Sequence, residues 1–344
     1  MLNVTLYTRD GCELCEQVKR DLKKLEDKFP HHLAEVNIDS DPALKEKYSD
    51  QIPVVEIGPY KLKAPITRQA LEMTLGAASD RRGQLERVNS EKYQERVRKG
   101  ETISRSDRVY FWVAQHYLAL LNLIVFIYVG LPFLAPVLMK VGEVLPYYYS
   151  NTAYIPAHII YTIYSPLCHQ FAFRSFFLFG EQPYYPLKEA GLAGVKTLEQ
   201  VTGFQNLADP FNISRLYSRQ FIGNATLGYK VALCERCVAI YAAIVLFGLI
   251  YGLVKRKLPS LHWALWFLIG IVPIAIDGFY QLLSQFNWSW LSFMPYYEST
   301  PFMRVLTGGL FGLMTAWFAF PAVEESMKDT REVLIKKFAA AKTA

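Results

Sequence analysis

Five cysteines mark this 344-residue chain, and four of them fall in pairs with two residues between: Cys12 and Cys15 in "GCELC", and Cys234 and Cys237 in "LCERC". The fifth, Cys168, stands beside His169 in "PLCHQF". Two thiols at this spacing at the head of a helix can do either of two things. They can exchange disulfides, because unpaired amides and the helix dipole stabilise a thiolate there, or they can clamp a metal ion. The first pair sits in a polar, highly charged region and the second opens a long apolar run, so the surrounding elements bear on which chemistry applies.

The charges divide the chain. Residues 1–108 carry 39 of its 68 charged residues, although 52% of the whole sequence is hydrophobic. This predicts a soluble domain at 1–78, a charged helical linker at 79–108, a helical membrane domain at 109–323 and a basic tail at 324–344. In the first region "NVTLYT" alternates like a strand, Cys12 and Cys15 follow at a turn, and Val18, Leu22 and Leu25 recur at helical spacing. The remaining segments complete the order β-α-β-α-β-β-α.

That order, with C-x-x-C at the first strand-to-helix junction, resembles a thioredoxin fold, specifically a small glutaredoxin-like domain. The resemblance implies that Cys12 is the attacking thiolate, that Cys15 resolves the mixed disulfide, and that Pro53 of "QIPVVEI" is a cis proline facing the dithiol. The C-E-L-C sequence lacks the proline and tyrosine usual in glutathione-using relatives. No Gly-Gly pair with the glutathione-binding segment follows Gly58. Exchange with protein thiols or disulfides is therefore expected over glutathione chemistry.

Beyond residue 108, three runs approach the roughly 20 residues a helix needs to cross a bilayer, Val231–Val254, Leu261–Leu283 and Val305–Pro321, and a fourth, Tyr110–Leu138, is longer and contains Pro132 and Pro136. A softer fifth, Tyr154–Phe171, is interrupted by Pro156, His158 and Pro166. The chain opens on a polar strand pattern instead of a basic and then apolar leader, so insertion is expected from these internal spans. The net charge of +6 is concentrated in the basic stretch Arg81–Arg108, just before the first span. This reads as a cytoplasmic anchor for a multi-pass cell-membrane protein, not as a nucleic-acid surface.

In the apolar half "PLCHQFAFRSFF", "LCERC", "AIDGFYQ" and "ESTPFMRVLTGGLFG" resemble an uncharacterised family of bacterial and archaeal membrane proteins with the pattern C-H-Q, R-S-F, C-x-R-C, D-G-x-x-Q and S-T-x-x-x-R-x-x-T-G. The resemblance runs from Cys168 to Gly312, is broken by a long insert at 181–230, and brings no established activity. By residue type alone, Cys168, His169, Cys234 and Cys237 form the ligand set of a tetrahedral zinc or iron site, and no other cofactor is indicated. A redox disulfide, or simple packing of small buried side chains, accounts for the same cysteines. Asp277 and Arg304 lie within or beside apolar runs, where an ionisable group calls for a partner, and pairing them near Gln281 would form a polar pocket. Gly308 and Gly312 have the spacing of a close helix contact.

Topology links the two halves. Five crossings would leave Cys234 and Cys237 on the side of Cys12 but put Lys255–Lys257 and the basic tail outside; four crossings reverse both outcomes. The sequence therefore supports a membrane-anchored thiol–disulfide oxidoreductase exchanging electrons with protein thiols or with its own membrane cysteines. The alternatives are a membrane metal-binding protein or transporter whose soluble domain keeps the ligand thiols reduced, and a redox sensor gating an activity built around Asp277 and Arg304.

Overall fold

Alternating burial along β1 (Leu2–Thr8) sends Val4 and Leu6 to one face of a sheet and Tyr7 to the other. The computed structural model describes residues 1–88, 91, 95, 100, 102–188, 194–285 and 294–343. Outside them lie 89–90, 92–94, 96–99 and 101 of the expected charged linker, 189–193 of the insert, and 286–293 of an aromatic stretch. The chain divides into two compact units, Met1–Tyr117 with Glu324–Ala344, and Leu118–Val323.

The first unit is built on a four-stranded sheet in the order β2-β1-β3-β4. β1 pairs in parallel with β2 (His31–Asn37) and antiparallel with β3 (Val54–Ile57), which pairs antiparallel with β4 (Tyr60–Lys63). On one face α1 (Glu13–Leu25) contributes Val18, Leu22 and Leu25, and α3 (Arg68–Val88) contributes Leu71, Leu75 and Ala78. Each fully buried Leu or Val there stabilises the domain by roughly 1.5–3 kcal/mol. α2 (Pro42–Tyr48) starts where Asp41 accepts the Ala43 N–H and Pro42 presets the first turn; its Leu44 and Tyr48 cover the other face. α3 runs on to Val88, ten residues into the segment the composition marks as linker.

Among the described residues, four helices are long and apolar enough to cross a membrane: α4 (Arg105–Val144), α8 (Glu235–Leu253), α9 (Trp263–Gln285) and α10 (Pro301–Thr343). Between α4 and α8 the second unit carries α5 (Tyr147–Tyr164), the short helices α6 (Leu198–Thr202) and α7 (Ile213–Gln220), and a three-stranded antiparallel sheet, β5 (Ser175–Leu178), β7 (Gly228–Cys234) and β6 (Gly223–Asn224). This sheet is an addition to the all-helical membrane domain expected from sequence. Residues 231–234, read there as the start of a span, are the fully buried end of its central strand. A continuous apolar run cannot by itself separate a buried strand from a helix. The softer fifth candidate became α5, which with Pro156 inside it is not among the four.

At Gly308 an added Cβ would stand 2.7 Å from the Arg236 carbonyl, and at Gly312 it would overlap the carbonyl of Ile240. The G-x-x-x-G spacing thus serves direct backbone contact between α10 and α8. The stretch expected as a basic tail continues α10 to Thr343 and packs within the first unit. Ile335 and Ala339 lie against the core of Tyr7, Tyr48 and Val54, Glu332 accepts from Tyr48 Oη at 3.0 Å, and Arg331 donates to Asp41 at 3.0 Å.

Candidate functional site

The first site is the dithiol. Cys12 is the N-cap of α1, its Sγ accepts the Cys15 N–H at 3.2 Å, and the two sulfurs are joined in a disulfide. Cys12 is half-buried, whereas Cys15 has no exposure. The outer sulfur is therefore the one a partner can reach. The dipole at the head of α1 favours its thiolate, while Glu13 and Glu16 in the first turn oppose it. Arg9 is paired with Asp39 at 3.3 Å. The Ile52–Pro53 bond is cis.

The membrane unit brings the other three cysteines together. The sulfurs of Cys168, Cys234 and Cys237 lie within 4.8 Å of one another, with Cys168 and Cys234 buried and Cys237 half-buried. Their supports come from three elements. Cys168 follows α5, Cys234 ends β7, and Cys237 lies in the first turn of α8. Gln170 ties the loop after α5 to β7, donating to the carbonyls of Tyr161 and Ala232 at 3.0 Å each. Hydrogen bonds from Cys234 and Cys237 lower the Cys168 pKa, burial opposes them, and the backbone N–H groups of Gln170 and Cys234 add to the lowering, the latter at 3.3 Å.

Beside the triad Lys230 is 1% exposed, and its ammonium donates to the carbonyls of Gln170 at 2.8 Å and of Arg219. Burial lowers its pKa and Cys168 offsets only part of that, leaving it pulled down to about 7. Among the described residues no carboxylate pairs with it. His169, expected as a fourth ligand, is not in the cluster. Its Nδ1 accepts the Phe171 N–H at 3.3 Å and its ring stacks on Phe171, because the left-handed turn at Gln170 sends successive side chains to different sides.

A buried charge network lies in the same unit, and its pairing corrects the expected one. Asp277 does not meet Arg304. It pairs with Arg236 and accepts from Tyr297 Oη at 2.7 Å and Ser299 Oγ at 2.8 Å. Arg304 instead bridges Glu235, at 3.0 Å, and Glu298. Glu298 also takes a bidentate pair from Arg174 at 2.7 Å and the Gln285 amide at 2.8 Å, and the Gln281 oxygen, turned toward Arg174, accepts from that guanidinium at 3.1 Å. Each carboxylate takes the cation its own packing presents: C-x-R-C at the head of α8 faces α9, and Glu298 precedes α10. Arg236, Glu235 and Glu298 were missed as members of this network although all three stand inside or beside the quoted motifs. A count of buried charges needing partners was the signal available.

Residues 3–97 match the family described as "Glutaredoxin-like domain (DUF836)", and residues 214–318 match "Predicted membrane protein (DUF2085)". A glutaredoxin-like domain is thus joined to a membrane-protein domain whose match takes in Cys234, Cys237, Asp277, Gln281 and Arg304 and begins after Cys168. The chain is also 25% identical over 211 residues to "Uncharacterized protein MJ1492" of Methanocaldococcus jannaschii, covering 60% of this chain and 92% of that protein. No solved structure matches.

Proposed function

From a glutaredoxin-like domain joined to a membrane module, we propose a membrane-anchored thiol–disulfide oxidoreductase whose Cys12–Cys15 dithiol works on protein disulfides in the cytoplasm. The observation that carries the reading is the placement of an accessible Cys12 at the head of α1 over a fully buried Cys15. In the reduced protein the Cys12 thiolate attacks a partner disulfide, an S–S bond forms between Cys12 and the partner, and the partner's other sulfur leaves as thiolate. Cys15, having lost its proton, then attacks Cys12 Sγ. The partner leaves with two electrons, the Cys12–Cys15 disulfide remains, and an external thiol reductant resets it.

The four spans found among the described residues return the chain to the compartment in which it began, and the packing of residues 324–343 within the N-terminal unit supports that even count. The basic stretch before α4 and the basic end of α10 favour the cytoplasm for both ends. On this count the segments holding Cys168 and leading into Cys234 face the other side. The substrate of Cys12 is then another protein, not the chain's own membrane cysteines. Cys15→Ser tests this. It should accumulate mixed disulfides through Cys12 on non-reducing gels, identifiable by mass spectrometry, and the Cys12→Ser/Cys15→Ser protein should show none. Equal adducts in both, or none in either, would end the proposal.

A second reading, that the membrane module binds a metal, is favoured by one observation: three buried or half-buried sulfurs gathered from separate elements, one of them holding backbone N–H groups. Bound metal in the purified full chain, lost in Cys234→Ser, supports it; a metal-free protein with a reducible disulfide among the three opposes it.

A further inference from the structure

We infer that Cys168, Cys234 and Cys237 hold a divalent ion of the zinc class through three thiolates, that Lys230 balances the remaining charge, and that a fourth coordination position is left for an exchangeable small ligand. This rests on the metal reading of the module and goes beyond it in naming the ion's charge class, its counter-charge and the open position.

The donor set comes first. Three thiolates select soft, thiophilic ions, and zinc among the divalent ones takes them in tetrahedral geometry. His169 is committed to Phe171, and the three sulfurs gather with no further His, Asp or Glu among the described residues. A structural zinc site closes all four positions with protein ligands, whereas three protein ligands leave one for water or substrate. Half-buried Cys237 marks the edge from which that position is reached.

Charge decides between ions. Three thiolates and a divalent ion sum to one negative charge, which the ammonium of Lys230 cancels. A monovalent ion such as cuprous copper would leave one negative charge buried, and a trivalent ion one positive. A buried charge without a partner is costly, so the neutral sum is preferred. Lys230 suits this role through its position: it is 1% exposed, it is held by the carbonyls of Gln170 and Arg219, and it has no carboxylate partner among the described residues. The N–H of Cys234 on Cys168 Sγ at 3.3 Å is the hydrogen bond a coordinated thiolate accepts.

The test uses the full chain in detergent micelles. Elemental analysis of protein loaded with zinc, with cuprous ion in competition, reads identity and stoichiometry. Replacement by cobalt(II) reads geometry through its visible bands, and azide is then titrated in. The inference expects one zinc per chain, tetrahedral thiolate–cobalt bands that shift with azide, and affinity about 10- to 100-fold weaker in Lys230→Met but near wild type in Lys230→Arg. Bands indifferent to azide would show a fourth protein ligand and overturn the open position. Preferential cuprous loading, or undiminished affinity in a folded Lys230→Met, would overturn the charge argument while sparing the metal reading. No metal at all, with a disulfide among the three cysteines, would remove that reading itself. Should Lys230→Met fail to fold, the azide titration and the ion competition on wild-type protein still decide.

Discussion

Loss of one charge at Glu298 should be felt strongly throughout the membrane unit. Its carboxylate takes two bonds from Arg174 at 2.7 Å, one from Gln285 at 2.8 Å and an ion pair from Arg304, and its side chain is 3% exposed. Removing one partner of a buried pair costs about 3–5 kcal/mol, because the opposite charge stays buried without compensation. Glu298→Gln keeps the size and removes the charge. Of the two cations ion-paired with Glu298, Arg304 retains Glu235 and Arg174 is left without its counter-charge, so the cost should sit near the lower end, about 3 kcal/mol. For a unit of this size that lowers the unfolding midpoint by roughly 6–12 °C.

Acidity gives an independent handle on the same residue. Burial pushes the Glu298 carboxyl up, but Arg174, Arg304 and Arg215 together hold it below the usual range. A carboxyl lowered in the folded state stabilises fully above its unfolded value, about 4.3, and loses that contribution as pH falls through the lower folded value. Thermal unfolding of the full chain in detergent, followed by tryptophan fluorescence, should therefore separate wild type from Glu298→Gln at neutral pH and bring them together in acid. A shift under about 2 °C at neutral pH, or convergence on the alkaline side, would refute the reasoning.

Gly312→Leu should force α10 away from the Ile240 carbonyl and cost about 1–3 kcal/mol by overpacking, read as a lower midpoint in the same assay; an unchanged midpoint would mean the helices do not touch there. Glu332→Ala strips the acceptor shared by Tyr7, Tyr48 and Lys47, and hydrogen exchange of α2 in the full chain should speed up in line with about 1–3 kcal/mol, whereas unaltered protection would deny the C-terminal segment its anchoring role. Glu56, raised by burial but drawn lower overall by Lys336 and Lys61, should lend the N-terminal unit stability above about pH 4.3 that disappears in acid, so Glu56→Gln should flatten the acid limb of its pH–stability curve.

The N-terminal fold was legible because its periodicities are short and local: Val4 and Leu6 alternate, Val18, Leu22 and Leu25 recur by helical turns, and C-x-x-C falls at a strand-to-helix junction. The triad was legible as a set of residue types, but the His169 assignment failed because neighbours in sequence point apart at a turn that sequence does not reveal. The Asp277–Arg304 pairing failed for a related reason. Four arginines and three carboxylates share that region, and which pairs form depends on helix rotation, not on spacing. The docking of residues 324–343 was hidden by composition. Lysines and arginines read as a solvated tail, while Leu334, Ile335 and Ala339 form a narrow stripe among them.

The central claim is that the two C-x-x-C pairs do different work, and differential alkylation of the full chain with site-by-site mass spectrometry tests it most directly. Poised across a series of thiol–disulfide buffers, Cys12 and Cys15 should pass together between free thiols and a mutual disulfide, while Cys168, Cys234 and Cys237 stay unmodified until a chelator is added and then react as thiols. A disulfide joining either N-terminal cysteine to one of the three, or a triad that cycles with the buffer while Cys12 and Cys15 do not, would contradict the account.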